Sequence, residues 1–246
     1  MTRAKAILVA CLLLLGSTAW GQGVIPPGSR VGVIDMMSID VTHFHVGRVQ
    51  VNSFMRTYRA AWSTSDLIDD PLIMSLSSAG LEPVSLEASD LLRRQRQAWI
   101  VSNPQASKLP KACIEEIEKI MTANTLSALV VIAAGPNSSP ESVEGNRLKK
   151  LPNYVQGWGF STSDDPEGTT KPVVFNLTQM LLLLKTTDGV RLEYREWGGG
   201  YVYEWANFSA GPDLKSLPDS EIAKFKPVIA DVMKRQIGRL MPHIKP

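Results

Sequence analysis

Residues 110–134 read PKACIEEIEKIMTANTLSALVVIAA. The first half has helical period. Ile114, Ile117 and Met121 fall on one side, opposite Glu115, Glu116 and Glu118, as in a helix packed on a core. Cys113, Ile117 and Ile120, at i, i+4 and i+7, share the apolar side. The second half changes character. ALVVIAA at 128–134 carries no polar residue at either parity, the composition of a strand covered on both faces. A helix over 110–122 running into such a strand predicts helices laid against a sheet.

The flanking sequence extends this pattern in both directions. Segments 173–186 and 190–197 flank Asp188-Gly189, a dipeptide suited to the positive φ of a hairpin turn. Within them, 180–184 is the most apolar short run and suits a buried strand. Residues 201–205 alternate aromatics after three glycines, and 219–241 reads as an amphipathic helix with Ile222, Phe225, Ile229, Val232 and Leu240 inward and a kink at Pro227. Upstream, 30–35 and 41–51 read as strands, with Gly47 a bulge or turn, and 52–62 suits strand or helix. Asp70 as cap and Pro71 at the first helical position open a helix that Gly80 ends. Segment 81–86 is a strand whose Pro83 suits an edge. Residues 89–101 form a helix with Leu92, Gln95 and Trp99 along one side. The expectation is an α/β (α+β) domain over 30–246: a mixed, partly antiparallel sheet with helices against it, a C-terminal amphipathic helix, and a loop-rich insertion at 135–172 holding one strand-like island at 154–161.

The amino terminus is a different kind of segment. Arg3 and Lys5 precede an apolar run over 6–15, followed by small residues up to Gly21. That order reads as a secretory signal peptide at 1–21, cleaved after Gly21 or, alternatively, after Ala19. The apolar run falls short of the roughly 20 residues a membrane span needs. Leu8-Val9-Ala10-Cys11 offers a second reading, lipid attachment at Cys11. A short lead-in, 22–29, joins the leader to the domain. The product is expected to be periplasmic or extracellular, with no transmembrane segment after signal removal. Asn-x-Ser/Thr triplets at Asn137, Asn176 and Asn207 matter only in a eukaryotic secretory pathway.

Charge and cysteine usage exclude several functions. The chain has 26 basic and 24 acidic side chains, and loss of Arg3 and Lys5 with the leader brings the two into balance. Nucleic-acid binding through a basic surplus is therefore not expected, and Arg93, Arg94 and Arg96 read as a solvated helix face. Of the 2 cysteines, only Cys113 survives leader removal, so an internal disulfide is excluded. Its glutamate neighbours oppose a thiolate nucleophile.

Two groups of residues could carry chemistry. His43 and His45 lie two apart on a strand, so their imidazoles share a face and could bind one metal ion if Asp35 or Asp40 completed the set. The alternative is a half-exposed pair bonded to neighbouring loops. Trp158, Phe160, Trp197, Tyr201, Tyr203 and Trp205 cluster beside glycines in the second half. They read either as a ligand or partner surface or as core and cross-strand pairs. Asp69-Asp70 and Asp164-Asp165 flank prolines and read as turn or cap chemistry. The sequence holds no G-x-S-x-G elbow, no H-E-x-x-H and no Walker loop, and Gly157-Trp158-Gly159-Phe160 lacks the third glycine of a dinucleotide fingerprint.

Four segments, RVGVIDMMSIDVTHFHVG (30–47), ALVVIAAG (128–135), YVQGWGFS (154–161) and LLLLKTTDG (181–189), resemble a group of uncharacterised proteobacterial exported proteins. The order of elements also resembles the envelope α/β domains of the curli-secretion CsgG type, of the penicillin-binding-protein activator lipoproteins and of the N-terminal domain of TolB. The resemblance implies the fold and the envelope compartment. It brings no activity and no cofactor with it, so no cofactor is expected. The function these readings favour is an exported cell-envelope binding or assembly module with a protein partner, rather than an enzyme. The alternatives are a metal-dependent exported enzyme centred on His43 and His45, or a small-ligand binder using the aromatic strip.

Overall fold

The apolar run at 128–134 becomes a strand, Ala128–Ala134, buried at every residue. It is held on one side by the parallel strand Arg30–Met36 and on the other by the antiparallel strand Val173–Thr186. The computed structural model describes residues 25–101, 109–135, 155–164, 172–197, 202–205, 208 and 214–244. The leader read at 1–21 with Cys11, and Tyr201, lie outside the described residues, as does the side chain of Tyr203. In chain order the elements are β1 (Arg30–Met36), β2 (Asp40–Val46), β3 (Phe54–Arg59), α1 (Asp69–Ser78), β4 (Glu82–Leu86), α2 (Asp90–Arg96), α3 (Lys111–Ala123), β5 (Ala128–Ala134), β6 (Gly157–Ser163), β7 (Val173–Thr186), β8 (Gly189–Trp197), β9 (Val202–Glu204), α4 (Asp219–Ala223) and α5 (Phe225–Leu240).

The sheet runs β3-β2-β6-β7-β5-β1-β4, with β8 and β9 also paired to β7. The 14-residue β7 is its spine. Its first residues lie between β6 and β9, and its later ones between β5 and β8. The β1–β4, β1–β5 and β2–β6 pairs are parallel and the rest antiparallel. The expected class is therefore the observed one: a mixed, partly antiparallel sheet with helices against it and an amphipathic helix at the end of the chain.

Alternation along the strands sorts the core into two layers. Ala128, Val130 and Ile132 face the layer of α1, α4 and α5, with Leu72, Leu76, Phe225, Ile229, Val232 and Leu240. Leu129, Val131 and Ala133 face Leu92, Trp99, Ile100, Cys113, Ile117 and Met121. Cys113 is a free, buried thiol, and burial pushes its pKa up.

Several local expectations need correction. Helix α1 starts at Asp69 with Ile68 as its cap, so neither Asp70 nor Pro71 takes the position expected of it. Gly80 ends that helix as predicted, at φ +77°. Gln95 is exposed, and Ile100 joins Leu92 and Trp99 instead, because the helix passes into a π turn over Gln97–Val101 that shifts the inward side. In the β7–β8 hairpin Thr186 pairs with Gly189, and the positive φ of 114° falls on Gly189 alone. The closing helix breaks before Phe225, where Pro227 has no N–H to offer the carbonyl of Ala223. The island read at 154–161 is an inner strand, β6, between β2 and β7.

Candidate functional site

The parallel pairing of β2 with β6 builds a constellation that joins several chemically capable side chains. In register, His43 lies beside Phe160 and His45 beside Thr162. All four share a face. The hydroxyl of Thr162 sits between the imidazoles, 2.8 Å from His43 Nε2 and 2.8 Å from His45 Nδ1. Two residues on, Asp164 Oδ1 lies 3.3 Å from His45 Nε2. The other oxygen of Asp164 accepts from the Arg48 backbone N–H at 3.3 Å.

The donor roles follow from the carboxylate. Asp164 accepts only, so His45 carries its proton on Nε2 and presents a lone pair at Nδ1. Thr162 donates to that lone pair and in turn accepts from Nε2–H of His43. This leaves Nδ1 of His43 as a bare lone pair, and that buried atom has no partner. The result is a one-way chain, from half-exposed Asp164 inward to a histidine with 0 % exposure.

Aromatic rings close the chain from the other sides. His43 stacks on Phe160 at 4.3 Å between centroids, and His45 stacks on Phe54 at 4.9 Å. Burial, followed by the proximity of His45, lowers the His43 pKa to about 3. Burial also lowers that of His45, against the opposing pull of Asp164. Both histidines are thus neutral near neutral pH, and the half-exposed reading of the pair is corrected. Thr42 and the backbone of β2 need close approach by β6, which Gly159 permits: a Cβ there would meet the Thr42 carbonyl oxygen at 2.0 Å.

The carboxylates expected to complete a metal set are elsewhere. Asp40 accepts from the Ser38 hydroxyl at 2.7 Å, and Asp35 accepts from the Met37 N–H at 2.8 Å. Burial raises the pKa of Asp35, and Asp69 adds to the rise. Asp69 accepts from Ser65 at 3.0 Å, while its Oδ1 is buried without a partner. Among the described residues no group of three or more His, Cys, Asp or Glu is placed to hold a metal ion. The facing nitrogens of His43 and His45 both address Thr162.

Three of the six aromatics read as a strip belong to the core instead. Trp158, Phe160 and Trp205 are buried. Phe160 and Trp205 meet edge to face at 5.2 Å and pack with Phe208 and Phe225. Trp158 donates to the Asp40 carbonyl at 3.0 Å. Trp197, at the end of β8, is half-buried and outside this cluster. Tyr203 is placed only by its backbone, paired with Val174. The physical reason for the correction is α5, whose Phe225 covers β6 and the segment after β9. Asn176 is also buried, bonded to Gln236 at 2.9 Å, so its triplet is no glycosylation site.

Thr162 and Asp164 are the site residues sequence reading missed. Their signal was present: Thr162 and Asp164 are spaced two apart, like His43 and His45, so each pair lines one strand face. A separate groove of about 550 Å³ lies between α3 and β8, lined by Ile114, Val190 and Leu192 with Lys111, Glu115 and Arg191. It contains none of the expected site residues.

No protein-family model matches the sequence and no curated protein does so. The fold is similar, at a TM-score of 0.40 and 10% identity, to the hypothetical protein CT253 from Chlamydia trachomatis, over 89% of this chain and 98% of that one.

Proposed function

We propose that this chain is an exported cell-envelope binding or assembly module that acts on a protein partner and catalyses no reaction. The observation that carries the reading is the enclosure of Thr162. The order carboxylate, imidazole, hydroxyl is one that can activate a nucleophile. Here the hydroxyl belongs to a residue with 1 % exposure, and both its hydrogen and an acceptor lone pair are engaged by imidazoles. A substrate carbonyl has no approach to it. The constellation acts instead as a polar clamp that locks β2 to β6. Burial of Trp158, Phe160 and Trp205 takes three of the six strip aromatics away from any small-ligand surface.

Export is supported by the order of basic, apolar and small residues at 1–21. Among the described residues no helix is long and apolar enough to cross a membrane. The test is affinity capture from an envelope extract beside a turnover panel of ester, glycan and phosphate substrates. Capture of a defined partner with no turnover is the expected result. Turnover that is lost in Thr162→Val, with no partner recovered, overturns the proposal.

A further inference from the structure

Besides β8 and β9, which pair only with β7 among the described residues, the sheet has an edge strand at each end of its main path, β4 and β3. They are treated differently. β4 carries Pro83 inside the strand, which removes an N–H and spoils the edge as a template. β3, Phe54–Arg59, has no proline, and among the described residues it pairs only with β2. Its Met55, Arg56, Thr57 and Arg59 are exposed.

Two further observations converge on this edge. Exposed large hydrophobic side chains are concentrated there: Val49 at 53 %, Val51 at 85 % and Met55 at 49 %, with Met74 alone elsewhere among the described residues. The charge on β3 itself is of one sign, although Asp40 of β2 lies opposite Arg59 and Asp164 accepts from the Arg48 N–H. Between Asp40 and Asp66 the chain has no acidic residue, yet it carries Arg48, Arg56 and Arg59. Lys215 adds a cation 5.6 Å over the Phe54 ring. This edge carries a surplus of basic side chains, is partly apolar, and among the described residues its outer backbone pairs with no strand.

We propose that the outer edge of β3 takes an extended acidic peptide segment of the partner protein as an added strand. The proposal rests on the binding-module reading above and assigns its surface. Main-chain hydrogen bonds to the open edge supply affinity, and alternate side chains supply selectivity. Arg56 lies on one face of β3, and Met55 and Arg59 on the other. The incoming strand therefore presents acidic residues beside the arginines and an apolar residue beside Met55. A second copy of the chain is the poorer occupant, since two β3 edges would set arginine-rich strands against one another. A membrane is also the poorer one, because among the described residues the exposed large hydrophobic side chains include no aromatic anchor.

The test is fluorescence anisotropy of the purified chain with a labelled ten-residue peptide of alternating Glu and Val. Three comparisons accompany it: the same peptide N-methylated at alternate residues, a Lys-Val counterpart, and vesicles of phosphatidylglycerol. Saturable binding of the Glu-Val peptide is expected. It weakens about tenfold or more both on N-methylation and in Arg56→Glu combined with Arg59→Gln. Both arginines are exposed, and unchanged urea unfolding of the variant verifies its fold. No saturable binding, equal binding of the Lys-Val peptide, or binding unchanged in the variant overturns the proposal, as does arginine-dependent vesicle binding without peptide binding. A captured envelope partner that the variant retains overturns this surface while the binding-module reading stands.

Discussion

Acidification should destabilise this protein chiefly through the buried His43, with His45 acting in the same direction. His43 has 0 % exposure, and its pKa falls from 6.5 to about 3 on folding. Below pH 6.5 the unfolded chain takes up a proton that the folded chain refuses. Stability is therefore full above that pH and is lost as pH falls toward 3. The loss is about 2 kcal/mol at pH 5 and about 4 kcal/mol at pH 3. Asp35 and Asp69, whose pKa values are raised, act with the opposite sign, since the folded state gains protons at those sites more readily. A comparison with His43→Phe cancels their effect. The phenyl ring keeps the stack on Phe160 and deletes the unpartnered Nδ1, and Thr162 can still donate to His45. Urea unfolding at pH 7.5 and pH 5 is the assay. Wild type should lose about 2 kcal/mol more than the variant across that interval. Equal losses, within about 0.5 kcal/mol, would refute the buried neutral imidazole. His43→Leu serves as a second non-titrating variant should the larger ring disturb the packing.

Thr162→Val should cost about 2–4 kcal/mol by chemical denaturation, because it strands the Nε2–H of His43 and the Nδ1 of His45 in the interior, whereas Thr162→Ser keeps both bonds and most of the stability. Gly159→Ala places a methyl 2.0 Å from the Thr42 carbonyl oxygen and 2.6 Å from the Phe175 ring, so β6 must part from β2; loss of near-ultraviolet circular dichroism at 25 °C is the readout, and a native spectrum would contradict the strand register. Cys113, buried and with its pKa raised by burial, should react with a thiol reagent only after addition of denaturant; rapid labelling of the native protein would contradict its burial.

Element types were legible where one local force dominates. The strand at 128–134 is apolar at both parities, and only a position covered on both faces satisfies it. The inward residues of the closing helix followed from their spacing, and Pro83 marked an edge because a missing N–H is a local property. The misreadings came where a distant element decides. His43 and His45 looked half-exposed because β2 by itself has a polar face; that face is covered by Phe54 and Phe160. Trp158, Phe160 and Trp205 were equally compatible with a platform, and Phe225, far along the chain, settled their burial. Gly159 lies in β6 because a neighbouring backbone passes within reach of where a side chain would stand.

The sequence by itself determined the class of fold, the order of most elements and the near balance of 26 basic against 24 acidic side chains. These follow from periodicity, turn chemistry and counting, all of which are local or additive. Only the tertiary structure decided what the histidines do. Thr162 and Asp164 stand more than a hundred residues from His43 and His45, and the parallel β2–β6 register alone brings them to 2.8 Å and 3.3 Å. Proton positions and depressed pKa values arise from that contact, because desolvation and hydrogen bonding act between neighbours in space and not between neighbours in the chain.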